Sequence, residues 1–214
     1  MVRNADILIA ELVAGLQPVK PLRFAEGFGL TLLVAALSTV VSVAWLGLRA
    51  DLGAGTVNPV HLISTGLYLG LAVAASMTVV VMSRPCVGSD HSGWTYAAAM
   101  AALLPAAGLI VAIVGGHDIL SSHSLAHGFD CFVKGGAASL GVFALLTWWL
   151  RRGAPTAPDR AGLVAGVAAG SFGVFAFSLS CADNDIVHIG VWHSAAVLVM
   201  GLIGRVTMPS LVRW

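Results

Sequence analysis

The sequence predicts an all-α integral membrane protein: a bundle of six transmembrane helices with both termini in the cytoplasm and a short amphipathic helix ahead of the first span. Three observations carry this prediction. Of 214 residues, 58% are hydrophobic and 10% are charged, and the mean hydropathy is +0.92. A soluble domain carries about 25% charged residues, so this chain has too few to coat a soluble surface. The apolar residues fall into six runs, and lysine and arginine collect on one side of them.

The runs extend from Gly27 to Leu48, Val60 to Met82, Trp94 to Val114, Phe132 to Leu150, Ala161 to Ser180 and Ile186 to Gly204. Each has roughly the 20 residues that a helix needs to cross the hydrocarbon layer while bonding its own backbone. Pro105 inside the third run is compatible with a span, because proline is tolerated in lipid-embedded helices. With the N-terminus inside, the cytoplasmic side holds Arg3, Lys20, Arg23, Arg84, Arg151, Arg152, Arg160, Arg205 and Arg213; only Arg49 and Lys134 lie outside. Positive charge favours the cytoplasm, and six spans return the C-terminus to that side. The chain therefore divides into a cytoplasmic segment 1–25, a transmembrane domain 26–206 and a basic cytoplasmic tail 207–214. In the fifth run Gly162, Gly166 and Gly170 recur every fourth residue, a stripe that lets a second helix backbone come close.

The N-terminal segment has no continuous apolar core and no small-residue cleavage site, so it does not read as a signal peptide. Asn4 can cap a helix, and Ile7, Leu8, Leu12 and Leu16 recur at helical spacing before Pro18. Residues 17–23, with Pro18, Lys20, Pro21 and Leu22, read as an extended connector. A short helix cannot bury such a stripe alone. It must lie on the bilayer, pack beneath the bundle or enter a partner's groove. Asp6 and Glu11 argue against anionic lipid headgroups. A net charge of +1 gives no reason to expect nucleic acid as a direct partner.

The outer loops are rich in metal-ligand types. The loop GGHDILSSHSLAHGFDC supplies His117, Asp118, His123, His127, Asp130 and Cys131. The turn CADND supplies Cys181, Asp183 and Asp185, with His188 and His193 following. His61 stands at the mouth of the second span. His123 and His127, four residues apart, share a face if the loop is helical. Thiolate with imidazole favours zinc, cadmium or copper, and no resident cofactor is required. Cys131 and Cys181 fall at the same membrane face, where neighbouring helices could bring them within disulfide reach. Cys86, on the cytoplasmic side, cannot join them. Lys134 lies one turn inside its span and can reach Asp130.

Other functions fit less well. A small metal or cation transporter, the main alternative, needs polar groups through the depth of several spans, and only Lys134 and His193 come near. A thiol oxidoreductase would be expected to carry CxxC, and a metallohydrolase HExxH. Neither motif is present, so the chain is not expected to be an enzyme.

Several stretches together resemble the NrsF-type membrane anti-sigma factors of Proteobacteria: LVAGLQPVKPLR near the N-terminus, Asp130–Cys131, LRRGAPTAPDRAGLVAGVAAG from Leu150 to Gly170, CADND, Trp192–His193 and the tail GRVTMPSLVRW. The resemblance covers nearly the whole chain. It implies a bacterial inner-membrane protein that holds an extracytoplasmic-function sigma factor away from RNA polymerase, releasing it on stress. It further implies that Cys131 and Cys181 sense heavy metals or oxidants. The sigma factor would be held by residues 7–23, among them Ile7, Leu8, Glu11, Leu12, Leu16, Pro18, Lys20, Pro21 and Leu22. A homodimer remains open.

Overall fold

A computed structural model of the chain describes residues 5–16, 21–85, 93–116 and 122–212. The described residues form helices and connecting turns. In order these are α1 (Ala5–Ala14), α2 (Phe24–Leu46), α3 (Ala50–Ala54), α4 (Pro59–Met82), α5 (Gly93–Gly115), α6 (Ser122–Arg152), α7 (Pro158–Ser178), α8 (Ile186–His188), a π-helical turn (Ile189–His193) and α9 (Ser194–Leu211). Six of the helical runs are long and apolar enough to cross a membrane, with the last continuous from Ile186 to Leu211.

Local chemistry sets where these helices begin and end. α2 stops at Gly47, whose φ of 84° lies where other residues rarely go, and the Gly47 N–H closes on Val43. α4 starts at Asn58, whose side chain accepts from the Val60 N–H, with Pro59 in the first helical position. α7 likewise begins on Pro158.

The fourth and sixth runs extend beyond the predicted spans. α6 begins at Ser122 instead of Phe132, about 15 Å further out. Its first turns are polar, and a hydropathy reading ends where apolar character ends although the backbone stays helical. α9 runs on to Leu211, into the stretch assigned to the tail.

α7 is the centre of the bundle and packs against α9, α6, α4 and α2. Its residues from Val164 to Val174 are all buried. A Cβ on Gly162 would run into the Gly204 carbonyl, and one on Gly166 into the Met200 carbonyl. On another side Gly173 meets Gly135 and Ser139 of α6. Without side chains in the way, backbones meet and dispersion holds them. α2 is the opposite case, burying Gly27, Thr31 and Ala35 and leaving most of its length to the surroundings. Every described side chain of α1 is exposed.

The bundle has two chemically distinct ends. One, called here the arginine end, carries Arg23, Arg84, Arg151, Arg152 and Arg160. There Trp149 donates to Ser83 Oγ at 3.1 Å and lies against Gly27. The other is the cysteine end.

Candidate metal and thiol site

Three elements build the site at the cysteine end. α6 brings Cys131 to its buried side. After α7 ends at Ser178 the chain turns, and Cys181 follows within that turn, also buried. Asp185 then caps α8, its carboxylate accepting from the Val187 and His188 N–H groups at 3.2 Å each. The helix leaves α geometry for one π turn over Ile189–His193. His188 and His193 are five residues apart, so in an α-helix they would diverge by about 140°. A π turn closes i to i+5 instead and brings the rings together, their centroids 5.4 Å apart.

As a result one donor atom from each of Cys131, Cys181, His188 and His193 lies within 4.8 Å of the others. All four residues are buried. Phe177 closes the site, edge-on to His193 at 5.6 Å and packed with both cysteines. Among the described residues, both ring nitrogens of His193 and Nε2 of His188 have no hydrogen-bond partner. An orphaned buried polar group costs about 1–3 kcal/mol, so these nitrogens are poised for a ligand.

Asp183 and His127 stand just outside the four. Asp183 Oδ2 stands 3.6 Å from His188 Nδ1 and 3.6 Å from His127 Nε2, and the two imidazoles are 4.8 Å apart. A carboxylate on Nδ1 favours the tautomer that leaves Nε2 bare. The neighbouring Cys131 thiol, aided by the two imidazoles, holds the Cys181 thiol well below its ordinary range despite burial. The site thus brings two cysteine sulfurs and two imidazoles together in a buried pocket.

Not every sequence candidate arrives there. Asp130 is exposed and bonds Lys134 Nζ at 2.5 Å, the local pair that their spacing allows. His127 and Asp183 stand just outside the four. The helical backbone of α6 includes His123, but its side chain lies outside the described residues, as do His117 and Cys86. Of the candidate sigma contacts, Ile7, Leu8, Glu11, Leu12 and Leu16 are exposed on and just after α1. Pro18 and Lys20 lie outside the described residues, whereas Pro21 and Leu22 lead into α2.

Sequence reasoning missed Arg49. Only 4% exposed, it donates to His61 Nδ1 at 2.7 Å, to the Cys181 carbonyl at 2.8 Å and to Asn184 Oδ1 at 2.8 Å. It also forks onto Asp51 at 2.6 and 2.7 Å. This bond holds the Asp51 carboxyl below the usual range. Its backbone N–H bonds the Leu179 carbonyl at 3.0 Å. The available signal was that Arg49 is one of only two cations on its side of the sequence.

A membrane-type helical bundle with a buried thiol–imidazole cluster at one end and an unpacked helix joined to the other has the form of a signalling protein. The comparisons agree. The family model for NrsF, negative regulator of sigma F, matches residues 12–214. The chain is 33% identical over 213 residues to the anti-sigma-F factor NrsF of Caulobacter vibrioides, covering 98% of this chain and 97% of that one. It is 26% identical over 215 residues to the probable anti-sigma-F factor NrsF of Azospira oryzae, covering 99% and 100%. No solved structure matches. The chain belongs to the NrsF family, whose described role is regulatory.

Proposed function

We propose that this chain retains an extracytoplasmic-function sigma factor at the cytoplasmic face of a bacterial inner membrane, and releases it when a soft or borderline metal ion reaches the periplasmic side. The observation that carries the reading is the buried cluster of Cys131, Cys181, His188 and His193, at the end of the bundle opposite Arg23, Arg84, Arg151, Arg152 and Arg160. The bias of lysine and arginine toward that end supports a cytoplasmic arginine end. On that side α1 offers Leu8, Ile9, Leu12 and Val13 within an arc of about 140°, suited to a groove on the sigma factor.

The donor set fits a divalent d¹⁰ ion. Two sulfurs and two imidazole nitrogens are a recurrent tetrahedral set for zinc, and the sulfurs favour cadmium. Cys131, Cys181, His188 Nε2 and one ring nitrogen of His193 would hold the ion, with Asp183 orienting His188. An oxidant that joins the two thiols is the second signal class. It leaves the orphaned histidine nitrogens unexplained, which is why metal is preferred. A transport path is disfavoured, since the bundle between its ends is filled by alanine, valine and glycine around α7.

The test is co-purification in detergent of the full chain with its sigma factor, against a chain lacking residues 1–23. Co-elution should vanish with the truncation and fall when cadmium is added to wild type. Cys131→Ser and Cys181→Ser should retain the sigma factor whether or not cadmium is present. Equal retention by the truncated chain would contradict the reading.

A further inference from the structure

Resting on the reading above, we infer that Arg49 pins the outer end of α2 to the turn carrying Cys181, so that the state of the site is transmitted along α2 to the N-terminal helix that grips the sigma factor.

Arg49 follows α2 by three residues and reaches across the bundle to a turn more than 130 residues later in sequence. It bonds that turn at three points: its N–H to Leu179, and its guanidinium to the Cys181 carbonyl and the Asn184 side chain. The bond to the Cys181 carbonyl is the shortest route out of the site, being one residue's backbone from the sulfur. Asp51 and His61 fix the guanidinium from the other side. A buried cation held this way cannot slide by small steps. If the turn moves, Arg49 follows or loses partners that burial makes costly to abandon.

The packing singles out α2 as the element able to respond. α7 also leads away from the site, but its glycines lie against the backbones of α9 and α6, and such interfaces resist sliding. α2 has three buried residues in twenty-three. It is a rod of about 34 Å whose far end continues through Pro21 and Leu22 toward α1. Its buried residues lie toward the arginine end, where Gly27 meets Trp149, and beyond Ala35 to Leu46 it is exposed or half-buried, so a displacement at the Arg49 end bears on that contact.

The experiment compares wild type, Arg49→Gln and Arg49→Lys as full chains in nanodiscs, with and without the sigma factor. Cadmium binding is followed by thiolate–metal absorbance, and sigma affinity is measured with and without saturating cadmium. Wild type should show a sigma affinity ratio in the range of about 5 to 150 typical of coupled sites. In Arg49→Gln that ratio should collapse to about 1, while cadmium affinity stays within about threefold. Arg49→Lys should fall between, because an ammonium cannot serve all the acceptors of the fork. A wild-type ratio in Arg49→Gln overturns the inference. So does a loss of cadmium binding that accounts for the lost ratio, since Arg49 would then build the site instead of transmitting from it. If wild type itself shows no ratio, the metal reading fails, and the pin is judged on cadmium-free protein. Amide exchange should then be about tenfold faster in Arg49→Gln at residues 44–47 and 179–184, and unchanged exchange overturns the inference.

Discussion

Cysteine sulfur and imidazole share one small volume at the cysteine end, and the residues around it would have separable duties. On the metal reading Cys131 and Cys181 would supply sulfur, and Asp183, 3.6 Å from His188 Nδ1, would favour the tautomer that leaves Nε2 bare. Asp183→Asn keeps the shape but weakens the acceptor, so cadmium affinity should drop about 10- to 100-fold, measurable by competition with a chromophoric chelator. The sigma factor should still be retained without metal. The lowered Cys181 pKa has a signed consequence. Its stabilising contribution is fully present above the ordinary thiol range, about pH 8.5, and is lost as pH falls through the lowered folded value. Thiolate absorbance in metal-free protein should therefore persist at pH 7 and disappear in Cys181→Ser. An absorbance that appears only above pH 8 would contradict this. The cysteines and histidines could be nominated from sequence because their residue types announce metal chemistry. Which of nine candidates would meet could not, since Cys131 and His193 are joined only by the fold, and Asp130 turns to its neighbour Lys134 instead.

Helix by helix, the apolar runs were legible because the bilayer demands a fixed length of apolar chain, and each run met that demand. Their polar extensions were not. The first turns of α6 hold Ser122, His123 and Asp130, and nothing in their hydropathy distinguishes helix from loop. The π turn at Ile189–His193 was also hidden, as one extra residue per turn leaves no compositional mark. The glycines of α7 were readable, because repetition at four-residue spacing is a helix-face signal in itself. Gly162 and Gly166 lie against α9. Gly166→Ala should displace α9 and cost about 1–3 kcal/mol, as overpacking does, seen as a lower detergent melting temperature. Gly66→Ala, on the open face of α4 where a Cβ meets nothing within 4 Å, should leave the melting temperature unchanged. Equal effects of the two would contradict this packing scheme.

Taken together, the molecule is a rigid centre with a light periphery. α7, α9 and α6 form the closely packed part, whereas α2 and α1 have little buried surface. That asymmetry suits a signalling role, since low-stability elements are the ones that move. Neither the buried Arg49 nor its tie to Cys181 could be read from local pattern, because the contact joins residues far apart in sequence. The described side chains of residues 5–16 are exposed, and on the proposed reading deletion of residues 1–23 should abolish sigma retention without lowering the amount of protein in the membrane.

The most direct measurement is a cadmium titration of the full chain with and without saturating sigma factor. Linkage is reciprocal: if metal weakens sigma binding by some factor, the sigma factor must weaken metal binding by the same factor. The account predicts a cadmium affinity lower in the presence of sigma factor by about 5- to 150-fold, with the shift abolished when residues 1–23 are removed. Superimposable titrations would show that the cysteine end and the sigma-binding segment do not communicate, and would contradict the account at its centre.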